Sequence, residues 1–204
     1  AETLVAQSVD SIVVSTEQEK GDLGRLYDVA AERVNVVPAG VDLDLFQPMD
    51  QSKARQELGL TESKVILSVG RVEPLKGVEI LITAVSKLDD ISDTRLIIVG
   101  GEPGSDPELQ KLMELAATLG VADSVTFTGA VDQTELPKYY SAADVFVMPS
   151  YYESFGLAAL EAMACGTPIV TSSAAGGPKS FVEEGKTGYL IPWPSSDSYA
   201  ERLE

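Results

Sequence analysis

The sequence of 204 residues contains no histidine and a single cysteine. Without histidine, the chain itself cannot supply a Ser-His-Asp triad, a histidine general base or a histidine-ligated zinc ion. Cys165 has no second cysteine to pair with, so an intrachain disulfide is excluded. Because Cys165 follows an alanine-rich segment, we interpret it as a small core residue rather than a nucleophile.

Basic residues are also scarce. Lysine and arginine together number 15, against 32 aspartates and glutamates, which gives a net charge of −17. Such an acidic chain is a poor candidate for binding polyanions through its overall field, so we expect no nucleic-acid partner. Any anionic ligand must therefore be held by a few well-placed cations.

Long apolar runs are missing as well. No run approaches the roughly 20 residues that a membrane-spanning helix needs. The first residues lack the basic start and apolar centre of a signal peptide, so the sequence predicts a cytoplasmic protein. The length fits one domain or slightly more, and the 44% apolar content is that of an ordinary globular protein.

Short apolar segments alternate with segments of helical pattern along most of the chain. This alternation predicts an α/β fold, a doubly wound, Rossmann-like parallel sheet covered by helices on both faces. A loop-like composition at residues 39–50 indicates a domain boundary. Strands are predicted at 11–15, 34–38, 64–70, 95–99, 124–128, 145–148, 168–171 and 189–191, and helices at about 17–30, 52–58, 76–88, 107–119, 133–141, 155–165 and 178–184.

Glycine and proline concentrate where the predicted strands end. In parallel sheets ligands bind beyond the carboxyl ends of the strands, so these exits predict a cleft on one side of the sheet. The five exits are 70–71, 100–104, 129–131, 149–153 and 172–178.

The stretch from Met148 to Pro168 carries two glutamates eight positions apart. Glu153 precedes a predicted helix that begins at about Phe155, and Glu161 lies inside that helix. The free N–H groups of residues 154–157 can receive phosphate or sugar oxygens, while a carboxylate can accept hydrogen bonds from hydroxyls. This combination suits a sugar joined to phosphate. The alternative is that the two glutamates only complement the helix dipole and line a solvated face.

Arg71 and Lys76 are the natural phosphate ligands among the strand exits. Arginine can hold two oxygens with its planar fork, and a lysine at the start of a helix adds a point charge. The alternative is an ordinary surface pair. The segment 70–77 does not match the phosphate loop of nucleoside triphosphatases, and 100–104 does not match the dinucleotide-binding glycine pattern.

Together these motifs resemble the donor domain of retaining glycosyltransferases of the GT-B fold. The group most similar is the glycosyl transferases group 1 family (family 4), including sucrose-phosphate synthase-like relatives. The resemblance covers roughly residues 8–193. It is carried by Gly70-Arg71 with Lys76-Gly77, by Glu153-Ser154-Phe155-Gly156-Leu157 with Glu161-Ala162-Met163-Ala164-Cys165-Gly166-Thr167-Pro168, and by Val37-Pro38-Ala39-Gly40-Val41-Asp42 and Gly188-Tyr189-Leu190-Ile191.

The resemblance implies a role for each matching position. Arg71 and Lys76 would neutralise the donor diphosphate, and Glu153 would contact the donor sugar; these three are the expected catalytic residues. Glu161 would hold the ribose hydroxyls, and backbone groups at 129–131 would lie beside the base. No metal or other cofactor is expected, since cationic side chains take the place of a metal. The expected donor-binding residues are Gly70, Ala130, Val131, Ser154, Phe155, Gly156, Leu157 and Glu161, with plain core filling as the alternative for Phe155.

The chain also departs from the family pattern. Residues 1–45 resemble the tail of an amino-terminal acceptor domain and the interdomain segment, while 46–204 resemble a donor-binding domain truncated at its carboxyl end. Ser180 stands where many relatives carry an acidic residue. We therefore expect a fragment that binds donor weakly and transfers little.

The implied reaction moves a hexose from a nucleotide diphosphate sugar to an acceptor hydroxyl. The partners would be that donor and an acceptor sugar or other hydroxyl compound held by the amino-terminal domain, with peripheral membrane association only through missing parts. The segment Gly176-Gly177-Pro178 resembles that of sucrose-phosphate synthase-like relatives, and this resemblance favours UDP-glucose, with ADP and GDP donors as alternatives. The competing functions are a noncatalytic nucleotide or sugar-phosphate binding module and another GT-B enzyme, such as a phosphorylase or an epimerase.

Overall fold

The computed structural model describes residues 1–174, 176–192 and 195–204. Short 3₁₀ turns occur at Ala31–Arg33, Pro74–Lys76, Ala122–Ser124, Gln133–Glu135 and Pro178–Ser180. The helices are α1 (Glu2–Ser8), α2 (Glu17–Tyr27), α3 (Gln51–Leu58), α4 (Val78–Val85), α5 (Pro107–Thr118), α6 (Leu136–Ala142), α7 (Leu157–Ala164) and α8 (Ser196–Leu203). The strands are β1 (Ile12–Val14), β2 (Val34–Val36), β3 (Lys64–Val69), β4 (Thr94–Val99), β5 (Val125–Gly129), β6 (Val145–Met148), β7 (Ile169–Ser172) and β8 (Gly188–Ile191).

Six of these strands form one parallel sheet in the order β5-β4-β3-β6-β7-β8. The chain runs outward from β3 to β5, returns to place β6 on the other side of β3, and then runs outward again to β8. The order therefore reverses between β3 and β6, which is where doubly wound sheets open a crevice for ligands. The predicted α/β, doubly wound fold is confirmed. A separate two-stranded parallel sheet, β1-β2, precedes it.

Helices cover both faces of the large sheet because alternate residues of its strands point to opposite sides. On one face Ile66 of β3 joins Leu81 of α4 and Leu109 of α5 in an apolar cluster. On the other face Leu67 of β3 joins Tyr140 of α6 in a second cluster. Burying each such side chain contributes roughly 1.5–3 kcal/mol, so the two clusters hold the strand ends in fixed positions.

Phe46 belongs to the second cluster, and Val41 and Leu45 pack against it. The end of the connecting segment is therefore attached to the large sheet. The division of the chain at residues 45 and 46 into parts of two domains stays a prediction.

Two predicted helices begin or end elsewhere in the structure because single residues adopt left-handed backbone conformations. The helix predicted at 17–30 ends at Tyr27, since Asp28 has a φ of 55°. The helix predicted to open at Lys76 begins at Val78, since Gly77 has a φ of 66° and separates it from a 3₁₀ turn. Lys76 therefore lies on a short turn before the helix and not on its first turn.

The helix predicted at 178–184 is wrong, because the chain forms only the 3₁₀ turn Pro178–Ser180 there. Phe181 ends the turn with a φ of −131° and a ψ of −9°, outside the helical region, and its ring packs on Phe155 with ring centroids 6.1 Å apart. Gly185, with a φ of 72°, then redirects the chain toward β8. The predicted strand exit at 172–178 includes Ala175, which lies outside the described residues.

The sequence patterns did not predict helices α1 and α8. Helix α8 is capped by Ser195, whose hydroxyl accepts the N–H of Ser198, and it buries Tyr199 completely. Helix α1 buries none of its residues. In the described ranges, no helix combines the length and the apolar character that crossing a bilayer requires.

Candidate functional site

A cavity of about 230 Å³ opens at the carboxyl ends of β3 and β6, where the strand order reverses. Three stretches that are far apart in the sequence supply its walls, namely the exit of β3 with the turn before α4, the end of β4, and the segment from the end of β6 to the start of α7. The predicted site residues found in these walls are Gly70, Arg71, Lys76, Glu153 and Leu157.

Close backbone contacts between glycines fix the rim of this cavity. The N–H of Gly70 donates to Val99 O at 3.0 Å, and the N–H of Gly100 donates to Gly129 O at 2.9 Å. A Cβ atom on Gly100 would lie 1.9 Å from Gly70 O, and the φ of Gly100 is 136°. Only glycine fits here, so the exits of three neighbouring strands are held together.

The turn that carries Lys76 is docked onto the segment that carries Glu153. The N–H of Tyr151 donates to Leu75 O at 2.9 Å. A Cβ atom on Gly77 would lie 2.4 Å from Pro149 O, so the two backbones touch at a glycine. This contact places a cation and a carboxylate that are distant in sequence on the same wall of the cavity.

Lys76 and Glu153 form an ion pair in which Nζ lies 2.6 Å from Oε2. Both side chains are largely withdrawn from water, with exposed fractions of 22% for Lys76 and 16% for Glu153. Arg71 instead pairs with Glu73 at 2.6 Å, and its side chain is 78% exposed. Exposed pairs contribute roughly 0–1 kcal/mol, so Arg71 can leave Glu73 for a ligand at little cost.

Helix α7 begins at Leu157, and Gly156 is its N-cap with a φ of 85°. The helix predicted to begin at about Phe155 therefore begins two residues later, and Ser154 and Phe155 precede its N-cap. A Cβ atom on Gly156 would crowd the Met148 side chain at 3.1 Å, which favours glycine at this turn. Leu157 and Ala158 line the cavity, and their N–H groups have no hydrogen-bond partner among the described residues. The amides of residues 157 and 158 are therefore free to receive a ligand at the cavity wall.

Ser154, Phe155 and Gly156 themselves are not among the residues that line the cavity. Phe155 is 7% exposed and packs on Phe181. Its side chain therefore fills the core below the loop, as the alternative interpretation held.

Glu161 lies about one helical turn beyond the cavity wall and faces α6. The hydroxyl of Tyr140, which is fully buried, donates to Glu161 Oε2 at 2.7 Å. Burial raises the pKa of the Glu161 carboxyl, and the bond from Tyr140 acts in the opposite direction. Burial also raises the pKa of the Cys165 thiol to about 11, aided by the Glu161 charge, which agrees with its interpretation as a core residue.

Ala130 and Val131 lie after β5, two strands away from the reversal point. The N–H of Ala130 donates to Gly101 O at 3.0 Å, which ties this exit to the end of β4. Neither residue lines the cavity. The structure thus places them at the same edge of the sheet as the cavity but outside its walls.

Three polar residues at or near this site were not predicted from the sequence, namely Tyr140, Ser68 and Ser150. Ser68 lies near the end of β3, and Ser150 follows β6; both line the cavity. A polar residue at the carboxyl end of an apolar strand was the available signal. Tyr140 gives no such signal, since a tyrosine on a helix is ordinarily part of the core.

The hydroxyl of Ser150 is completely buried and has no hydrogen-bond partner among the described residues. An unpartnered buried hydroxyl costs about 1–3 kcal/mol, so Ser150→Ala should raise the free energy of unfolding by about 1 kcal/mol in a thermal or denaturant melt. Ser141 is the matched control, because its buried hydroxyl accepts the N–H of Met49 at 3.0 Å. Ser141→Ala should lower that free energy. A destabilised Ser150→Ala variant would contradict the assignment of an unpartnered hydroxyl.

The model of the family described as "Glycosyl transferases group 1" matches residues 50–204. Among curated proteins, "D-inositol 3-phosphate glycosyltransferase 2" of Catenulispora acidiphila is 42% identical over 206 residues, which cover 98% of this chain and 48% of that protein. The chain spans about half the length of the curated relatives that it matches.

Solved structures of glycosyltransferases also superpose on this chain. Sucrose-phosphate synthase from Thermosynechococcus elongatus superposes with a TM-score of 0.89 at 36% identity, covering 99% of this chain and 50% of that one. The Anabaena protein HepE, crystallised with UDP-glucose, superposes with a TM-score of 0.87 at 27% identity, covering 98% and 54%. The superpositions agree with the parallel sheet and its cavity at the strand ends, and the family model matches residues 50–204. The chain therefore belongs to the glycosyl transferases group 1 family and has the α/β fold of a GT-B glycosyltransferase domain.

Proposed function

We propose that this chain binds the nucleotide-sugar donor of a retaining glycosyltransferase. The full protein would move a hexose from that donor to an acceptor hydroxyl. The observation that carries the proposal is the cavity at the β3–β6 reversal, where Lys76 and Glu153 meet within 2.6 Å. A cation and a carboxylate side by side match a ligand in which a diphosphate adjoins a sugar.

The comparisons support UDP-glucose as the donor to test first. Sucrose-phosphate synthase is a structural relative, and HepE was crystallised with UDP-glucose. The curated relatives are named for D-inositol 3-phosphate, which supports a phosphorylated polyol as the acceptor. That acceptor would be bound largely by the half of the relatives that lies outside this chain's match.

The two cations of the site would carry the charge chemistry. Lys76 and Arg71 neutralise the diphosphate, so that the nucleotide can leave with its electron pair as the bond to the sugar breaks. Positioned charges of this kind are worth a few kcal/mol each in the transition state. They take the place of a divalent metal, and chelation of metals by EDTA should therefore leave UDP affinity unchanged.

Carboxylates and amides complete the proposed site. Glu153 accepts hydrogen bonds from the sugar hydroxyls on the side where positive charge develops. The free N–H groups of Leu157 and Ala158 receive sugar or phosphate oxygens at the positive end of α7. Glu161 accepts the ribose hydroxyls with the oxygen that Tyr140 leaves free.

Calorimetric titration with UDP, ADP and GDP tests the proposal. We expect UDP to bind in preference to the other two, and Glu161→Ala to weaken all three because each carries the same ribose. Thr118→Ala on the exposed end of α5 is the control and should bind as the wild type does. If none of the nucleotides binds at millimolar concentration, the proposed function fails for this chain.

The raised pKa of Glu161 predicts how UDP affinity depends on pH. The ionised carboxylate accepts both ribose hydroxyls, so affinity should rise with pH through a midpoint above the ordinary value of 4.5. Tyr140→Phe removes the bond that lowers this pKa, so the midpoint should move further upward. Glu161→Gln should abolish the dependence. If the midpoint remains in Glu161→Gln, the pH dependence arises from another group.

The raised pKa of Glu161 also makes the stability of the fold depend on pH. The folded state holds the Glu161 proton more tightly than the unfolded state, for which 4.5 is the ordinary pKa. The contribution of Glu161 to stability therefore falls as pH rises from 4.5 through the folded pKa. Glu161→Gln should remove this loss in melts recorded across that window.

A further inference from the structure

The ion pair between Lys76 and Glu153 occupies the group that the proposed diphosphate needs. We propose that Glu153 determines specificity by competing for Lys76, so that the site holds an intact nucleotide sugar better than the free nucleoside diphosphate. This inference rests on the proposed donor site. The same carboxylate would also help to expel the nucleotide product once the sugar has left.

Backbone contacts on both sides prevent Lys76 and Glu153 from moving apart as whole segments. The turn bearing Lys76 is docked on Pro149 and Tyr151, as described above. On the other side, the carbonyl of Glu153 accepts the N–H of Gly176 at 3.0 Å. Both backbones are therefore fixed, and only side-chain rotation can separate Nζ from the carboxylate.

The charge of Glu153 opposes the binding of a phosphate at Lys76. A phosphate that reaches Lys76 must either take Nζ from Glu153 or share it. In the first case Glu153, which is only 16% exposed, loses its cation where water compensates poorly. In the second case two anions lie side by side. Either outcome weakens the binding of a free nucleoside diphosphate.

An attached sugar removes this opposition. When a hexose is attached to the diphosphate, its hydroxyls can donate to Glu153 and replace the lost ammonium. The carboxylate is then satisfied, and Lys76 is free to hold the phosphates. After transfer the hydroxyls leave with the product sugar, Glu153 recovers Lys76, and the nucleotide is displaced.

A second ion pair, of which only Arg71 lines the cavity, provides the control. Arg71 and Glu73 are equally close, at 2.6 Å, but Arg71 is 78% exposed. Water screens this pair and solvates either partner when it separates. Glu73→Gln therefore removes one negative charge near the cavity without removing a buried competitor.

The test is calorimetric titration of the chain with UDP and with UDP-glucose. Glu153→Gln should tighten UDP binding about tenfold, which is the size expected for relieving one partly buried charge contact. It should give no gain for UDP-glucose. Glu73→Gln should change UDP affinity by less than about twofold, as expected for a screened charge.

A double-mutant cycle assigns the gain to Lys76. Glu153→Gln introduced into a Lys76→Met background should give a smaller increase in UDP affinity, because only the repulsion between the carboxylate and the phosphate is left to relieve. A gain as large as that in the wild-type background reflects the general field and overturns the competition. Weaker or unchanged UDP binding by Glu153→Gln overturns it as well, because Glu153 would then be holding Lys76 in place for the ligand. If the wild type and all variants fail to bind UDP, the proposed donor site falls and this inference with it.

Discussion

Lys76→Ala is expected to weaken UDP binding by about a hundredfold, the scale found when one preorganised charge contact is removed. Lys76 is the less exposed of the two cations at the cavity, so its interaction with phosphate is screened least. The substitution also leaves Glu153 without its cation beside the incoming anion. Calorimetry with UDP measures the loss directly.

Two further variants make this expectation specific. Arg71→Ala should cost only about fivefold, because a side chain that is 78% exposed interacts through water. Lys53→Ala removes an exposed lysine of α3 that pairs weakly with Glu57 at 4.0 Å, and it should leave UDP affinity unchanged. An Arg71→Ala loss equal to or larger than that of Lys76→Ala would contradict the assignment of Lys76 as the main phosphate ligand.

Gly177→Ala is expected to destabilise the fold and to reduce donor binding together. A Cβ atom at this position would lie 1.6 Å from Phe155 O, a backbone atom that no rotamer change can move. The loop after β7 would have to shift away from the segment that carries Glu153. Overpacking of this kind typically costs 1–3 kcal/mol, or roughly 2 kcal/mol in the free energy of unfolding here.

Gly21→Ala is the matched control for this substitution. Gly21 lies inside α2, and a Cβ atom there would meet nothing within 4 Å. Alanine is the better helix former, so this variant should gain up to about 1 kcal/mol. The two alanines should therefore shift a thermal melt in opposite directions. An unchanged melting temperature for Gly177→Ala would contradict this prediction, because it would show that the Phe155 carbonyl can move aside at little cost.

The parallel sheet could be predicted from the sequence because its signals are local. Apolar strands that alternate with helices leave few alternatives, and glycine-rich exits mark the edge where a ligand binds. The same rule placed Gly70, Lys76 and Glu153 near one another, and the structure brings them to one cavity.

The contacts within the site could not be predicted in the same way. The pairing of Lys76 with Glu153 depends on Pro149 packing against Gly77, a contact between segments about seventy residues apart that leaves no local pattern. The bond from Tyr140 to Glu161 depends similarly on how α6 lies against α7.

The errors in helix bounds have a related cause. The composition of 155–165 favours a helix throughout, but Gly156 takes a left-handed conformation at the N-cap, in a turn where a Cβ would crowd Met148 and Pro178. At 178–184 the helical pattern loses to the packing of Phe181 on Phe155. In both places tertiary contacts override local propensity.

A crystal structure of this chain with UDP would locate the donor site directly. We expect phosphate oxygens about 3 Å from Lys76 Nζ, with the Lys76–Glu153 ion pair opened and the ribose hydroxyls at Glu161. UDP bound elsewhere, with Lys76 still 2.6 Å from Glu153, would show that this cavity is not the donor site.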